Sequence, residues 1–344
     1  MLAQELEKRT IPKKDTHYSA DFAEICCLQS PDRSISFSEV FDEEWGGDEG
    51  LGGIGAHEDC DILAVEEDPD GKRDPHWEME DKKSNKLSDV YEVLKARPKL
   101  FGDCYPFVVH KWGLELGGNA SNCGLYVLLL LAANSHCFAD NKQALRNDFE
   151  CVATIAMQAL FPPPFTVKLF GTAQCGAIPC YTGTKRQKLE AFAEDVKGEL
   201  RIREADLARM GTGGDGGIDL AAFYQFPDPA AQFPLYICQA GCTADEDRMQ
   251  KKQHDVARDK WMNKIGGIQP ASVMFTPSCY RDPLGEWMSP SDIFSVFMDR
   301  PRIVHLLKDE GLPDGLASVE FARLALAPAP KVWPQQEKDD TIAA

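Results

Sequence analysis

The order of helical and strand patterns between residues 142 and 278 constrains the fold more than any other feature of this sequence. The segment KQALRNDFECVATIAMQALF repeats apolar residues at spacings of three and four, which indicates an amphipathic helix. Three prolines at 162–164 end that helix. The patterns that follow are typical of a strand, a helix, two strands, a helix and a strand in turn. This order predicts an α/β domain with a mixed central sheet flanked by helices.

Each predicted element of this domain corresponds to a short stretch of sequence. The predicted strands are FTVKLFGT, GIDLAAFYQF, PLYICQAG and ASVMFTPS, and the later helices are KRQKLEAFAEDVKGEL and TADEDRMQKKQHDVARDKWMNKIGG. We expect the domain to occupy residues 141–330 and a disordered tail to follow at 331–344.

The first 140 residues predict a separate, acidic and mostly helical accessory domain. Its helical patterns are SADFAEICCLQS, a serine-capped SISFSEVFDEEW and KLSDVYEVLKARPKL, followed by a strand-like CYPFVVHKWGLEL and a buried helix within 123–135. The tract at 42–83 is rich in acids and glycine, so we expect a flexible insertion there.

The charge of the chain is strongly negative and unevenly distributed. The formal net charge is −18, and the first 100 residues hold 25 acids against 13 Lys and Arg. Binding to a polyanion depends on local positive charge, so this total argues against a non-specific nucleic-acid coat protein but leaves room for a basic cleft.

The N-terminus and the apolar runs predict a cytoplasmic protein that does not contact a membrane. MLAQELEKRTIPKKD lacks the apolar segment of a secretory signal. The longest apolar run, CGLYVLLLLAA at 123–133, is too short to span a bilayer. The twelve cysteines are scattered and often lie in apolar runs, so we expect them to be reduced.

The segment GDGGIDL at 214–220 is the strongest candidate for a functional site. Its glycines and acids are also typical of a simple turn. However, Asp219 opens a predicted strand, and Gln239 lies near the end of the next strand. If the two strands pair as a hairpin, these side chains meet, and Glu150 on the border of the first helix's apolar face could join them. Two carboxylates and an amide oxygen suit Mg²⁺ or Mn²⁺.

The helix with Glu150, the GDGGID segment and the strand YICQAG together resemble the PD-(D/E)XK nuclease superfamily, especially its Mrr-like restriction endonuclease branch. The resemblance covers about 142–278 and implies a restriction-endonuclease-like fold. It also implies that Asp219, Gln239 and Glu150 bind the metal ion and take part in DNA cleavage. Members of the family often act as dimers, and many serve in bacterial defence against foreign DNA. A homo-oligomer and an ATPase or sensor partner in another chain are therefore expected.

One position departs from the family pattern. The motif places a lysine two residues after Gln239, where this sequence has Gly241. In the family this lysine is thought to orient the attacking water and stabilise developing charge. We expect a basic residue elsewhere to replace it, with Lys252 or Lys251 favoured over Arg248 and Lys168. The basic residues expected to contact nucleic acid are Lys185, Arg186, Arg248 and Lys251.

Other interpretations of the same residues stay open at this stage. Loss of the lysine would also fit a catalytically inactive nuclease-fold subunit that binds nucleic acid or a partner protein. The spacing of Cys238 and Cys242, with His254 nearby, would fit a zinc site, although strand alternation places Cys238 in the core. A Cys–His hydrolase lacks any local signature, and the basic helix could be only a solvated surface.

Overall fold

The computed structural model describes most of the two predicted regions. The described residues are 16–40, 75–118, 123–138, 141–170, 178–203, 217–242 and 246–309, with single residues between 316 and 326. The tail at 331–344, most of the insertion predicted at 42–83, and Asp215 lie outside the described residues.

Helices and short strands alternate along the described chain. The helices are α1 (Thr16–Gln29), α2 (Pro75–Phe101), α3 (Gly124–Ala133), α4 (Lys142–Leu160), α5 (Lys185–Asp195), α6 (Glu246–Asp255), α7 (Arg258–Lys264) and α8 (Arg300–Leu307). The strands are β1 (Ser34–Ser36), β2 (Phe107–Val109), β3 (Gly113–Leu116), β4 (Thr166–Leu169), β5 (Glu199–Leu200), β6 (Leu220–Phe223), β7 (Leu235–Ala240), β8 (Ile265–Gly266), β9 (Ala271–Phe275) and β10 (Val296–Met298).

A mixed five-stranded sheet lies at the centre, in the order β10-β9-β7-β6-β4. Strands β4, β6 and β7 are antiparallel, whereas β7, β9 and β10 are parallel. The prediction of a mixed α/β sheet flanked by helices is therefore confirmed.

The two faces of this sheet are covered by different helices, because alternate residues of each strand point to opposite faces. Leu220 and Cys238 pack with α4 in the larger hydrophobic cluster. Ala221 and Ile237 pack in a second cluster that includes Trp261 of α7 and apolar residues of α5. The end of β7 is therefore flanked by helices on both faces.

Three local predictions need correction. The segment SIS, expected to begin a helix, forms strand β1 and pairs with β3. The strand-like CYPFVVHKWGLEL is a hairpin, because His110 and Gly113 exchange backbone hydrogen bonds and turn the chain. The basic helix is broken between α6 and α7, where Val256 is buried and Trp261 donates its indole N–H to the carbonyl of Asp255. The chain therefore forms two short helices and buries Val256 and Trp261 against the sheet, instead of the single long solvated helix that the sequence predicts.

The predicted accessory region also contains a three-stranded sheet, β1-β3-β2, and shares one hydrophobic cluster with α4 and the central sheet. A core that crosses residue 140 couples the stability of the two predicted domains.

Nine described cysteines are free, as expected, whereas Cys151 is disulfide-bonded. None of the described helices combines the length and apolar character that a membrane span requires.

A buried charged network ties α1 to α2 and α8. Arg300 donates to Asp21 at 2.6 Å, and Arg97 donates to the same carboxylate at 2.6 Å. Arg97 also pairs with Glu24 at 2.6 Å, and Glu24 accepts a hydrogen bond from the Tyr126 hydroxyl at 2.8 Å. All of these side chains are essentially inaccessible to solvent. The network therefore links the two ends of the described chain through the core.

Burial alone would raise the pKa of Asp21, but the guanidinium groups of Arg300 and Arg97 outweigh burial and lower the pKa to about 2. The Asp21 carboxylate is therefore charged in the folded protein at neutral pH. A buried charge of this kind is costly when a partner is removed.

We expect Arg300→Ala to lower the free energy of unfolding by about 3–5 kcal/mol, since it leaves the buried acids with a single arginine. The control is Lys95→Ala, which removes the exposed Lys95–Glu92 pair at 3.1 Å and should cost no more than about 1 kcal/mol. Urea unfolding measures both values. Equal losses in the two variants would contradict the structural role of the network.

Candidate functional site

The register of β6 against β7 brings Asp219 and Gln239 together. Leu220 pairs with Cys238, and the backbone N–H of Asp219 donates to the Cys238 carbonyl at 2.9 Å. Asp219 precedes Leu220 and Gln239 follows Cys238, so these two residues face each other across the strands. The Gln239 Nε2 donates to Asp219 Oδ2 at 2.6 Å. Each side chain is only 6 % exposed. The contact predicted from the hairpin is therefore present in the structure.

Two local features hold the Asp219 carboxylate in place. The backbone N–H of Ala240 also donates to Asp219 Oδ2, at 2.6 Å. The turn before the strand needs Gly217, whose φ of +95° lies in the region that favours glycine. A Cβ at this position would lie 3.2 Å from the Cβ of Asp255. The glycine that precedes Asp219 is thus required by backbone conformation and by a close helix.

Helix α4 contributes one wall of a cleft beside this pair. Its apolar face, including Phe149, packs in the core, while a polar stripe at spacings of three and four lines the cleft. The stripe consists of Gln143, Arg146, Asn147 and Glu150. The cleft has a volume of about 440 Å³ and also contains Asp219, Gln239, Ala240, Cys242 and Lys252. All three residues predicted to bind a metal ion therefore line a single cleft.

Lys252 of α6 lines the cleft beside Gly241, the position at which the resemblance predicts a lysine. A Cβ on Gly241 would lie 2.6 Å from Lys252 Cδ, 3.0 Å from Lys252 Cε and 3.0 Å from Met274 Cε. The side chain of Lys252 thus occupies the space into which a side chain at position 241 would extend. A larger residue at 241 and the observed position of Lys252 exclude each other.

The other predicted replacements for the lysine lie elsewhere. Lys168 is held by Asp195 at 2.5 Å, so its ammonium group is already paired. Lys251 is exposed and is not among the residues that line the cleft. The side chain of Arg248 lies outside the described residues.

Of the residues predicted to contact nucleic acid, Lys185, Arg186 and Lys251 are not among those that line this cleft. Lys185 and Arg186 lie in α5, which packs on the sheet face opposite α4. Arg186 also pairs with Glu190 at 2.7 Å. Their contacts with phosphates therefore stay predictions.

The oxygen atoms of the cleft fit a hard divalent cation. The Oε1 atom of Gln239 is buried and has no hydrogen-bond partner within the described part of the chain. Such an orphaned acceptor is costly unless a ligand satisfies it. Asp219 and Glu150 provide carboxylate oxygens in the same cleft. No group of three or more His, Cys, Asp or Glu side chains is arranged for metal binding among the described residues, so an ion here would need the Gln239 amide oxygen.

The cysteines near the cleft do not support the zinc or cysteine-hydrolase interpretations. Burial raises the pKa of the Cys242 thiol to about 12, although Arg146 and Lys252 oppose that rise. A thiol with this pKa is a poor nucleophile at neutral pH. Cys238 points into the core, as alternation predicted, and the His254 ring packs against Phe294 at 4.7 Å.

Arg146 is not among the site residues predicted from the sequence. The apolar periodicity of 142–160 is its strongest signal, but the polar residues at 143, 146, 147 and 150 follow the same helical spacing on another face. That spacing, counted from Glu150, could have identified Arg146 and Asn147 as neighbours of the site.

Comparisons of the chain with protein-family models, curated proteins and solved structures gave no match.

We expect Gly241→Ala to displace the Lys252 side chain without unfolding the protein. Gly241 does not have a left-handed backbone, and the atoms that the new methyl group would meet belong to the flexible ends of Lys252 and Met274. A crystal structure of the variant should show the Lys252 ammonium group moved, with an unfolding midpoint close to that of wild type. An unmoved Lys252 would contradict this description of the cleft.

Proposed function

We propose that this protein is a metal-dependent nuclease that hydrolyses phosphodiester bonds in DNA. The observation that carries the proposal is the convergence of Asp219, Gln239, Glu150 and Lys252 in one cleft. This set combines oxygen donors for a cation with a lysine, Lys252. Lys252 lies beside Gly241, the position at which the PD-(D/E)XK motif has its lysine. We further propose that the mixed sheet is a restriction-endonuclease-like core, in keeping with the resemblance of its motifs.

Asp219, Glu150 and the Gln239 amide oxygen would hold Mg²⁺ or Mn²⁺. When bound, such an ion polarises phosphoryl oxygens and makes coordinated water more acidic. The contact between Gln239 and Asp219 already aligns two of the three ligands before any ion arrives. The Ala240 N–H fixes the Asp219 carboxylate further, so the ligands would lose little conformational freedom on binding.

Lys252 would act on the reacting phosphate and its water. Hydrolysis forms one bond between phosphorus and the water oxygen and breaks the bond to the leaving oxygen, while negative charge grows on the phosphoryl oxygens. A fixed ammonium group near these oxygens stabilises that charge more in the transition state than in the ground state. Lys252 reaches the cleft from α6, so the missing lysine after Gln239 does not by itself remove this function.

The alternative is an inactive nuclease-fold subunit that binds nucleic acid or a partner protein. The glycine at 241 favours it, because the motif lysine is absent from its usual strand. The position of Lys252 favours the enzyme. Phosphate contacts by Lys185, Arg186, Arg248 and Lys251, a homo-oligomer and an ATPase or sensor partner remain proposals. A role in defence against foreign DNA rests on the resemblance alone.

Cleavage of a supercoiled plasmid with Mg²⁺ or Mn²⁺ tests the proposal. We expect Asp219→Asn and Lys252→Ala to reduce the rate by roughly 100-fold or more, because each removes a group that acts on the developing charge. The matched control is Lys95→Ala, which neutralises an exposed lysine of α2 outside the cleft and should stay within about threefold of wild type. A wild-type protein that binds DNA but never cleaves it would support the inactive subunit instead.

A lysine moved back to the motif position should restore part of the activity lost without Lys252. In the double variant Gly241→Lys, Lys252→Ala, the truncated residue 252 leaves the space that the new side chain needs. We expect the double variant to cleave at least about tenfold faster than Lys252→Ala, because it again places a cation near the phosphate. Gly241→Lys alone, in which the two lysines compete for that space, is the comparison variant. A folded double variant no faster than Lys252→Ala would contradict the proposed role of the lysine.

A further inference from the structure

A second cation lines the cleft on the wall opposite Lys252. Arg146 lies on α4, one turn before Glu150, and its side chain is exposed to the cleft. Helices α4 and α6 pack on opposite faces of the sheet, since Phe149 lies in the cluster with Leu220 while Met249 lies in the one with Met274. The two cations therefore approach the end of β7 from opposite sides.

Arg146 differs from other arginines in the structure because it has no partner of its own. Arg186, Arg281 and Arg300 each hold a carboxylate at 2.6–2.8 Å. Arg146 makes no hydrogen bond or ion pair with any residue that the structure describes. Its guanidinium group is thus available to an anion that enters the cleft.

An amide pair lies beside this arginine on the same stripe. The Nε2 atom of Gln143 donates to Asn147 Oδ1 at 2.8 Å. This contact leaves the NH₂ group of Asn147, a residue that also lines the cleft, as a further hydrogen-bond donor. The wall formed by α4 therefore presents hydrogen-bond donors, which suits phosphate oxygens.

The charges of the cleft indicate when an anion can bind. Its ionisable acids are Asp219 and Glu150, and its bases are Arg146 and Lys252, so their formal charges cancel. A divalent cation on the carboxylates would leave the cleft positive. An anionic ligand should therefore bind much more tightly when the cation is present, and the two affinities are linked reciprocally.

We infer that Arg146 binds the phosphate next to the metal site in the ground state, so that the cleft takes a phosphodiester anion together with a divalent cation. The effect of Arg146 on turnover rests on the proposed function, whereas the binding of phosphate by Arg146 does not require cleavage. A guanidinium group holds a phosphate through two parallel hydrogen bonds before and during the reaction, so it contributes mainly to binding. Lys252, in contrast, contributes mainly to turnover.

The test measures binding and turnover in separate arms. A fluorescently labelled 20-base-pair DNA is titrated with wild type, Arg146→Ala, Arg146→Lys and Arg201→Ala, in Ca²⁺ and in EDTA. Arg201 is the matched control, since it is an exposed arginine that pairs with Glu199 and is not among the residues that line the cleft. The kinetic arm determines KM and kcat for plasmid cleavage by the same proteins in Mg²⁺. Unfolding midpoints close to that of wild type confirm that each variant is folded.

We expect wild type to bind DNA at least about tenfold more tightly in Ca²⁺ than in EDTA. Arg146→Ala should weaken binding in Ca²⁺ by roughly 10- to 100-fold, as expected for a hydrogen-bonded charged group. It should also lower the slope of log affinity against log salt by about 0.9, because one phosphate contact is lost. Arg146→Lys should restore the salt slope but only part of the affinity, and Arg201→Ala should match wild type.

In the kinetic arm, Arg146→Ala should raise KM and leave kcat within about threefold of wild type. If it instead lowers kcat with KM unchanged, or leaves binding and its salt slope unchanged, the inference is overturned while the nuclease proposal survives. Binding that depends on Arg146 and Ca²⁺ in a protein that never cleaves would support the inference and contradict the nuclease proposal. A wild type that neither binds nor cleaves DNA would contradict both.

Discussion

The antiparallel register between β6 and β7 is the constraint on which the candidate site depends. A shift by one residue would move every side chain of one strand to the opposite face of the sheet. Asp219 would then lose Gln239, and the Ala240 N–H would no longer meet the carboxylate. The register is fixed on both faces, because Leu220 and Cys238 fill one hydrophobic cluster while Ala221 and Ile237 fill the other. Core packing thus determines the geometry of the polar pair at the end of the strands.

The positions of Gly241 and Lys252 are linked by the space that they share. The residue that follows β7 has no side chain, and a helix on the same face of the sheet supplies a lysine that fills the space. The two positions depend on each other, because a side chain at position 241 would displace Lys252. Lys252 thus provides a positive charge in the cleft that contains the oxygen donors of Asp219, Gln239 and Glu150. Under the nuclease proposal, the broken motif is therefore compatible with activity.

Much of the central architecture could be predicted from local patterns, because helical and strand periodicity report burial directly. The mixed sheet and the contact between Asp219 and Gln239 follow from element order and the hairpin. Features that depend on distant parts of the chain could not be predicted. The break before α7 depends on the burial of Trp261 against the sheet, and the link between Arg300 and Asp21 joins residues 279 positions apart. Arg146 was missed for a different reason, since its signal lay on the polar face of a helix whose apolar face dominated the interpretation.

We propose that Asp219, Gln239 and Glu150 form one cation site, and diffraction from crystals soaked in Mn²⁺ is the direct test. We expect an anomalous peak in the cleft at about 2.1–2.2 Å from a carboxylate oxygen of Asp219 and from Gln239 Oε1, which are ordinary distances for such an ion. Asp219→Asn crystals soaked in the same way should lose the peak. A peak elsewhere on the protein, or none while the Gln239 amide oxygen stays without a ligand, would contradict the account.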